Sequence, residues 1–76
     1  MNAERRKKIA QIVERLAEEK SDLETLQQEE QDYADNMPEN MQGGERYEKA
    51  TSAADALQDA VNAFDEIESS LESAVE

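Results

Sequence analysis

The residues that break helices are confined to the middle of this sequence. Pro38, Gly43 and Gly44 are the only proline and glycines in the chain of 76 residues, and they separate two uninterrupted arms of similar length. Proline lacks the amide hydrogen that a helix interior needs, and glycine leaves helical geometry most readily. Breakers placed in this way predict two long helices joined by one turn. We expect a single domain over 1–76, with a first helix at 3–35, a turn at 36–44 and a second helix at 45–75.

Apolar residues recur with a heptad period in both arms, which predicts an all-α fold, an antiparallel two-helix hairpin packed like a coiled coil. Glu19, Glu30 and Glu68 interrupt the heptads, so we expect these side chains to lean out toward water. The first arm combines the series Ile9, Leu16, Leu23, Glu30, Met37 with the series Ile12, Glu19, Leu26, Tyr33, and the second combines Tyr47, Ala54, Val61, Glu68, Val75 with Ala50, Leu57, Phe64, Leu71.

A single antiparallel register brings most of these apolar residues together. If the numbers of facing residues sum to about 80, Leu16 faces Phe64 and Tyr33 faces Tyr47. The same register predicts two ion pairs on one flank of the hairpin, Lys8 with Glu72 and Arg15 with Asp65. In the turn, we expect Asn36 to cap a short helical segment that ends at a left-handed Gly43, with Met37 and Met41 packed beneath it.

The other flank of the hairpin is predicted to be a contact surface. It carries small and apolar residues, which permit close approach of a neighbouring helix. A lone hairpin with so few large apolar side chains is marginal in stability, and pairing of two hairpins into a four-helix bundle is a common solution. We therefore expect a homodimer whose interface contains Val13, Ala53, Ala60, Ile67 and Ala74, although alanines of high helix propensity explain part of this pattern without a partner.

Composition excludes most chemistry. The chain has no histidine and no cysteine, so the usual groups for acid-base catalysis near neutral pH and for nucleophilic attack are missing. The dinuclear carboxylate sites of helical bundles use Glu-x-x-His motifs, and the turn lacks the alternating ligands of a calcium loop. We expect no enzyme activity, no cofactor, no metal and no small-molecule substrate.

The charge is strongly negative and uneven. Twenty acidic residues stand against eight basic ones, a net charge of -12. Residues 21–59 hold eleven acids and two bases, whereas 1–20 with 60–76 hold nine acids and six bases. The basic start at 5–8 has no aromatic residues beside it, so we expect no direct binding of nucleic acid. We expect it to pair with the acidic end of the second helix.

The acidic half predicts a partner protein with a basic surface. A dimer would approach the charge density of DNA, which has one negative charge per about 1.7 Å, so mimicry of DNA is one form that such binding takes. The alternative is a structural oligomerisation or assembly component whose charge serves only solubility. The candidate contacts of the first hypothesis are Asp22, Glu24, Glu29, Asp32, Asp35, Asp55 and Asp59.

The segment 36–42, the residues Glu45, Arg46, Tyr47 and Glu48, and the stretch 54–64 resemble the central part of small acidic helical-hairpin proteins of phages and mobile elements. The resemblance covers the turn and the second arm; the first arm matches only as a charged helix. It implies a non-catalytic protein that binds and inhibits a host protein, including nucleic-acid-handling defence machinery. With no signal peptide and no membrane-spanning run, the expected location is the cytoplasm, that of the host cell if the protein is phage-encoded.

Overall fold

The structure, a computed structural model, describes residues 1–76 and consists of two long helices joined by a compact turn. Helix α1 spans Ala3–Asp35 and helix α2 spans Glu45–Val75, with a 3₁₀ turn at Glu39–Met41 between them. The helices pack against each other along an elongated molecule of 59 × 15 × 13 Å, and no strand is present. The predicted all-α helical hairpin is confirmed.

Both ends of α1 are capped by asparagine. The Asn2 side chain accepts a hydrogen bond of 2.8 Å from the backbone N–H of Arg5, which satisfies one of the free amides of the first turn. At the other end, the Asn36 side chain donates to the carbonyl oxygen of Asp32 over 2.8 Å. The prediction that Asn36 caps the short helical turn was therefore wrong, because its side chain points back to α1 and no side chain caps the 3₁₀ turn.

The chain reverses through the 3₁₀ turn without any residue in the left-handed region. Gly43 was predicted to adopt positive φ, and it does not. The backbone N–H of Gly44 donates to the carbonyl of Met41 over 3.1 Å, and Gly44 then leaves the turn in an extended conformation as the N-cap of α2. A Cβ at Gly44 would lie 3.3 Å from that carbonyl oxygen, tighter than an ordinary contact. Close backbone approach is what requires glycine at this position.

We call the residues through which the two helices pack the seam. On α2 the seam lies on the predicted face of the helix, whereas on α1 it does not. Residues at both predicted heptad series of α2 are buried or half-buried. In α1 the series that begins at Ile9 faces α2, but the second series of the seam is Val13, Lys20, Gln27 and Ala34. The predicted second series was wrong: Ile12 is 39% exposed, Tyr33 48% and Leu26 51%.

The second seam series of α1 differs from the predicted one because α1 is rotated about its own axis, and the alanines near the turn account for this rotation. Ala34, Ala50 and Ala54 are almost completely buried, and Met37 and Tyr47 pack around Ala34 and Ala50. Small side chains in an interface let two helix axes approach to the short end of the usual 8–10 Å range. Tyr33 or Leu26 in the same place would hold the helices apart. The short connection thus favours the alanine series over the bulkier one.

The register also differs from the predicted one. Lys20 pairs with Asp65 across the helices, so their numbers sum to 85, and the packed residues Ala34 and Ala50 sum to 84. The predicted sum was about 80, so α2 is displaced by about four residues, one helical turn, relative to that expectation. A slip of one turn keeps the same face of α2 in the seam, which explains why the α2 series remained correct.

Substitution of Ala34 by leucine tests the alanine-centred seam. Because Ala34 has no exposed surface, added carbon atoms would force α1 and α2 apart, and we expect a loss of about 1–3 kcal/mol in the free energy of unfolding. Ala17→Leu adds the same atoms at an exposed position of α1 and should change stability by no more than about 0.5 kcal/mol. Urea unfolding followed by circular dichroism measures both. Equal effects of the two substitutions would contradict this seam.

Candidate functional site

The seven acidic residues predicted to contact a partner are all exposed. None of them forms an ion pair, because the three ion pairs of the chain are Glu4 with Lys8, Asp65 with Lys20, and Glu45 with Lys49. Asp32 and Asp35 accept hydrogen bonds of 2.9 and 3.0 Å from the amides of Gln28 and Gln31, which are neutral donors. These carboxylates are therefore available to cations outside the chain.

The acidic candidates lie on different sides of the hairpin rather than in one patch. Asp22 and Glu29 each stand one turn before an exposed apolar residue, Leu26 and Tyr33 respectively, and so lie on the same side of α1 as those residues. Glu24 stands one turn after Lys20, on the side that carries the ion pair between the helices. The acidic surface thus wraps around the loop half of the molecule.

An apolar face, which sequence reasoning only half identified, runs along one side of the hairpin. Tyr33 and Ala53 line the same open groove between the helices, together with Arg46 and Lys49, which places the α1 series of Tyr33 beside the α2 series of Ala53. Residues spaced by seven continue each series along its helix. We call this set the apolar face: Ile12, Leu26 and Tyr33 of α1 with Ala53, Ala60, Ile67 and Ala74 of α2. The exposed Glu19, between Ile12 and Leu26, is the one charged residue of its α1 series.

Four of the five residues predicted for the dimer interface belong to the apolar face. Ala53, Ile67 and Ala74 are exposed and Ala60 is partly exposed. Val13 is placed elsewhere, because it lines a second groove with Ile9, Leu71 and Val75 near the open end of the hairpin. Ile67, which was predicted to share the interface with Val13, is not among the residues of that groove. The α1 half of the apolar face was visible in the sequence as the heptad series of Ile12, Leu26 and Tyr33, but that series was assigned to the interior of the hairpin.

The ion pair of Lys20 with Asp65 connects the two helices on the side opposite the apolar face. The hydrogen bond to Asp65, followed by the negative charges of Asp65, Glu68 and Glu24, raises the pKa of Lys20 above its ordinary value, although some desolvation opposes the shift. The Lys20 side chain lies within the α1 seam, with its stem partly covered. This pair replaces the predicted one, in which Asp65 was assigned to Arg15.

The basic residues near the start of α1 remain largely free. Lys8 pairs with Glu4 on its own helix rather than with Glu72, so that prediction was wrong. Arg5, Arg6, Lys7 and Arg15 form no ion pair within the chain. The predicted pairing of the basic start with the acidic end of α2 is therefore not formed. An unpaired basic cluster lies at one end of the hairpin and an unpaired acidic surface at the other.

Glu30, Tyr33 and Tyr47 have different surroundings in the structure. No group of three acidic side chains is arranged to hold a metal ion, and Glu30 lies half-buried at the seam beside Ala50. Tyr47 packs on the Ala34 cluster, whereas Tyr33 lies on the apolar face, so their side chains occupy different environments. Neither helix contains an apolar run sufficient to cross a bilayer.

Comparison with protein-family models, with curated proteins and with solved structures gives no match to this chain. The acidic surface and the apolar face are therefore the features of this chain that bear on its function.

Reversal of the charge at Asp65 tests the ion pair between the helices. Asp65→Lys places two cations together, and we expect a lower free energy of unfolding, restored in part by adding Lys20→Glu. Asp59→Lys, at an exposed acid without an ion pair, is the matched control and should change stability less.

The pH dependence of the same pair follows from the raised pKa of Lys20. A cation stabilised in the folded state contributes fully below its unfolded pKa, and the contribution disappears as the pH rises through the folded pKa. The stability difference between the native chain and Lys20→Gln should therefore be constant from neutral pH to about pH 10 and then shrink in stronger alkali. A difference that persists undiminished after Lys20 has lost its proton would argue against the ion pair.

Proposed function

We propose that this protein is a non-catalytic acidic binding module that recognises a partner protein with a basic surface. The observation that carries this proposal is the set of seven exposed carboxylates in the loop half that form no ion pair within the chain. A protein that used its charge only for stability would place bases beside these acids, as it does at Glu4 and Glu45. Unpaired carboxylates of one sign instead create a field that attracts a basic partner.

The shape of the molecule supports mimicry of DNA as the form of this binding. A net charge of -12 over a length of 59 Å corresponds to about one negative charge per 5 Å. Two hairpins packed side by side as a four-helix bundle would double this to about one per 2.5 Å, close to the one per about 1.7 Å of duplex DNA. The homodimer is thus part of the proposal, since a single hairpin carries too little charge per unit length.

The resemblance to small acidic hairpin proteins of phages and mobile elements suggests the biological setting. In that setting the protein would inhibit a host protein that handles nucleic acid, including defence machinery, in the cytoplasm of the host cell. Occupation of a groove built for DNA requires no catalysis and no cofactor from the inhibitor. It requires only a rigid body of suitable length and charge.

A second function is favoured by a different observation. The apolar face exposes Ile12, Leu26, Tyr33 and Ile67 to solvent, and contiguous exposed apolar surface marks interaction sites. In this alternative the protein is a structural oligomerisation or assembly component, and its charge keeps it soluble.

A charge-reversal experiment separates the two functions. The variant Glu24→Lys, Asp32→Lys, Asp35→Lys, Asp55→Lys reverses four exposed acids of the loop half that lie away from the apolar face. The control Glu14→Lys, Glu18→Lys, Glu66→Lys, Glu72→Lys makes the same change in net charge at exposed positions of the open half. Circular dichroism should show both variants helical.

Each protein is immobilised, incubated with lysate of the organism in which it acts, and eluted with salt or with duplex DNA. A DNA-mimicking binder should retain a protein that duplex DNA displaces, with a dissociation constant that rises steeply with salt. The loop-half variant should lose that protein, and the open-half control should keep most of it. Equal retention by both variants, or retention insensitive to salt, contradicts the acidic-binder function and favours the assembly component.

A further inference from the structure

We propose that the apolar face is occupied by a second copy of this chain, related by a two-fold axis that places the turn of one hairpin beside the open end of the other. This inference deepens the proposed function, on whose dimer it rests, by naming the surface and the orientation. It also replaces Val13 in the predicted interface by the α1 residues Ile12, Leu26 and Tyr33.

The exposed area of the hairpin matches the requirement for a dimer. The chain exposes 5645 Å² at a mass of 8.6 kDa. A folded monomer of that mass is expected to expose about 4700 Å². The excess of about 950 Å² is similar to the roughly 800 Å² that each partner buries in a stable interface of standard size. Only five residues are buried in the single chain, so a second hairpin would supply most of the missing core.

The α2 half of the apolar face is self-complementary in the antiparallel direction. Small residues recur at spacings of three and four along its exposed side, at Ala53, Ala56, Ala60, Ala63, Ile67, Ser70 and Ala74. When two copies of α2 lie antiparallel with the two-fold axis between Ala63 and Phe64, Ala60 faces Ile67 and Ala53 faces Ala74. Each large residue therefore meets a small one, which allows close packing. An isologous contact of this kind closes after two copies.

The charges on α1 select the same orientation. The two-fold axis that relates the α2 helices also packs α1 against its copy, with the first turns of one helix beside the last turns of the other. Arg15, which forms no ion pair in the single chain, then lies level with Glu29 of the second copy. With the two turns at the same end, the loop halves of both chains, eleven acids and two bases each, would lie side by side and repel.

The absence of cysteine from the chain allows a direct test of the orientation. Ala63→Cys places one thiol from each copy next to the two-fold axis, within the Cα separation of less than about 7 Å that a disulfide requires. The control Ser69→Cys introduces a thiol on the other side of α2 at an equally exposed position. Under mild oxidation at low micromolar concentration, Ala63→Cys should form a disulfide-linked dimer at least ten times faster than Ser69→Cys.

Sedimentation equilibrium tests the surface itself. The native chain should be a dimer, and Ile67→Glu should raise the dissociation constant about a hundredfold, since each dimer acquires two charges in an apolar contact. Val13→Glu, outside the proposed interface, should leave any folded protein dimeric. A second variant, Ile12→Gln, guards against loss of folding because Ile12 is exposed in the single chain; it should weaken the dimer while circular dichroism stays helical.

Three outcomes would overturn the inference. A native chain that is monomeric and folded at about 100 µM would show that a second copy does not occupy the apolar face, whatever else binds there. A dimer in which Ser69→Cys crosslinks as fast as Ala63→Cys would contradict the proposed orientation. A dimer unaffected by Ile67→Glu and Ile12→Gln would show that the apolar face is not the interface. If only the acidic-binder function fails, the native chain carrying Ala63→Cys still forms the disulfide-linked dimer, so the two failures are distinguishable.

Discussion

The close approach of α1 and α2 through alanine is the contact on which the rest of this structure depends. Ala34, Ala50 and Ala54 have almost no exposed surface and lie directly beneath the turn, where the connection between the helices is shortest. Close helix packing there requires side chains that end at Cβ. Because a helix is rigid over its whole length, the rotation set at this point fixes which side of α1 faces α2 some 40 Å away.

The consequence of that rotation is an exposed apolar surface. It turns Ile12, Leu26 and Tyr33 out of the interior and places Lys20 within the seam, where Asp65 neutralises it. The exposed residues then align with the α2 series from Ala53 to Ala74 on a single side of the hairpin. A chain with this little buried surface derives limited stability from its own core. Association through the exposed side and folding of the hairpin would therefore reinforce each other.

The acidic surface and the apolar face can both be occupied in the proposed dimer. Packing of the apolar faces in opposite directions would place the acidic half of one hairpin beside the less acidic half of the other, and the charge would be spread evenly along the dimer. Evenly spaced negative charge on a rigid rod is the property that a basic nucleic-acid groove recognises without reading sequence. Glu24, Asp35 and Asp55 would stay accessible in such a dimer, since they lie away from the apolar face.

Much of the architecture was accessible from the residues alone. The confinement of Pro38, Gly43 and Gly44 to the centre determines a hairpin, and the heptads determine two helices and the inward face of α2, because both signals are local properties of the chain. The exposure of the acidic residues follows from the cost of burying unpaired charge. The failures at Gly43 and Asn36 arose because more than one turn conformation satisfies the same hydrogen-bonding groups.

The tertiary structure alone decided the register and the choice of the α1 seam. Series beginning at Ile12 and at Val13 both flank the Ile9 series, and the first is the more apolar, so hydrophobic pattern favours the wrong one. The decision came from the other helix: Ala50 leaves room for Ala34 but not for the bulkier Tyr33, and Asp65 provides a partner for Lys20. A sequence pattern records what each helix can bury, whereas the fit between two particular surfaces appears only when both are present.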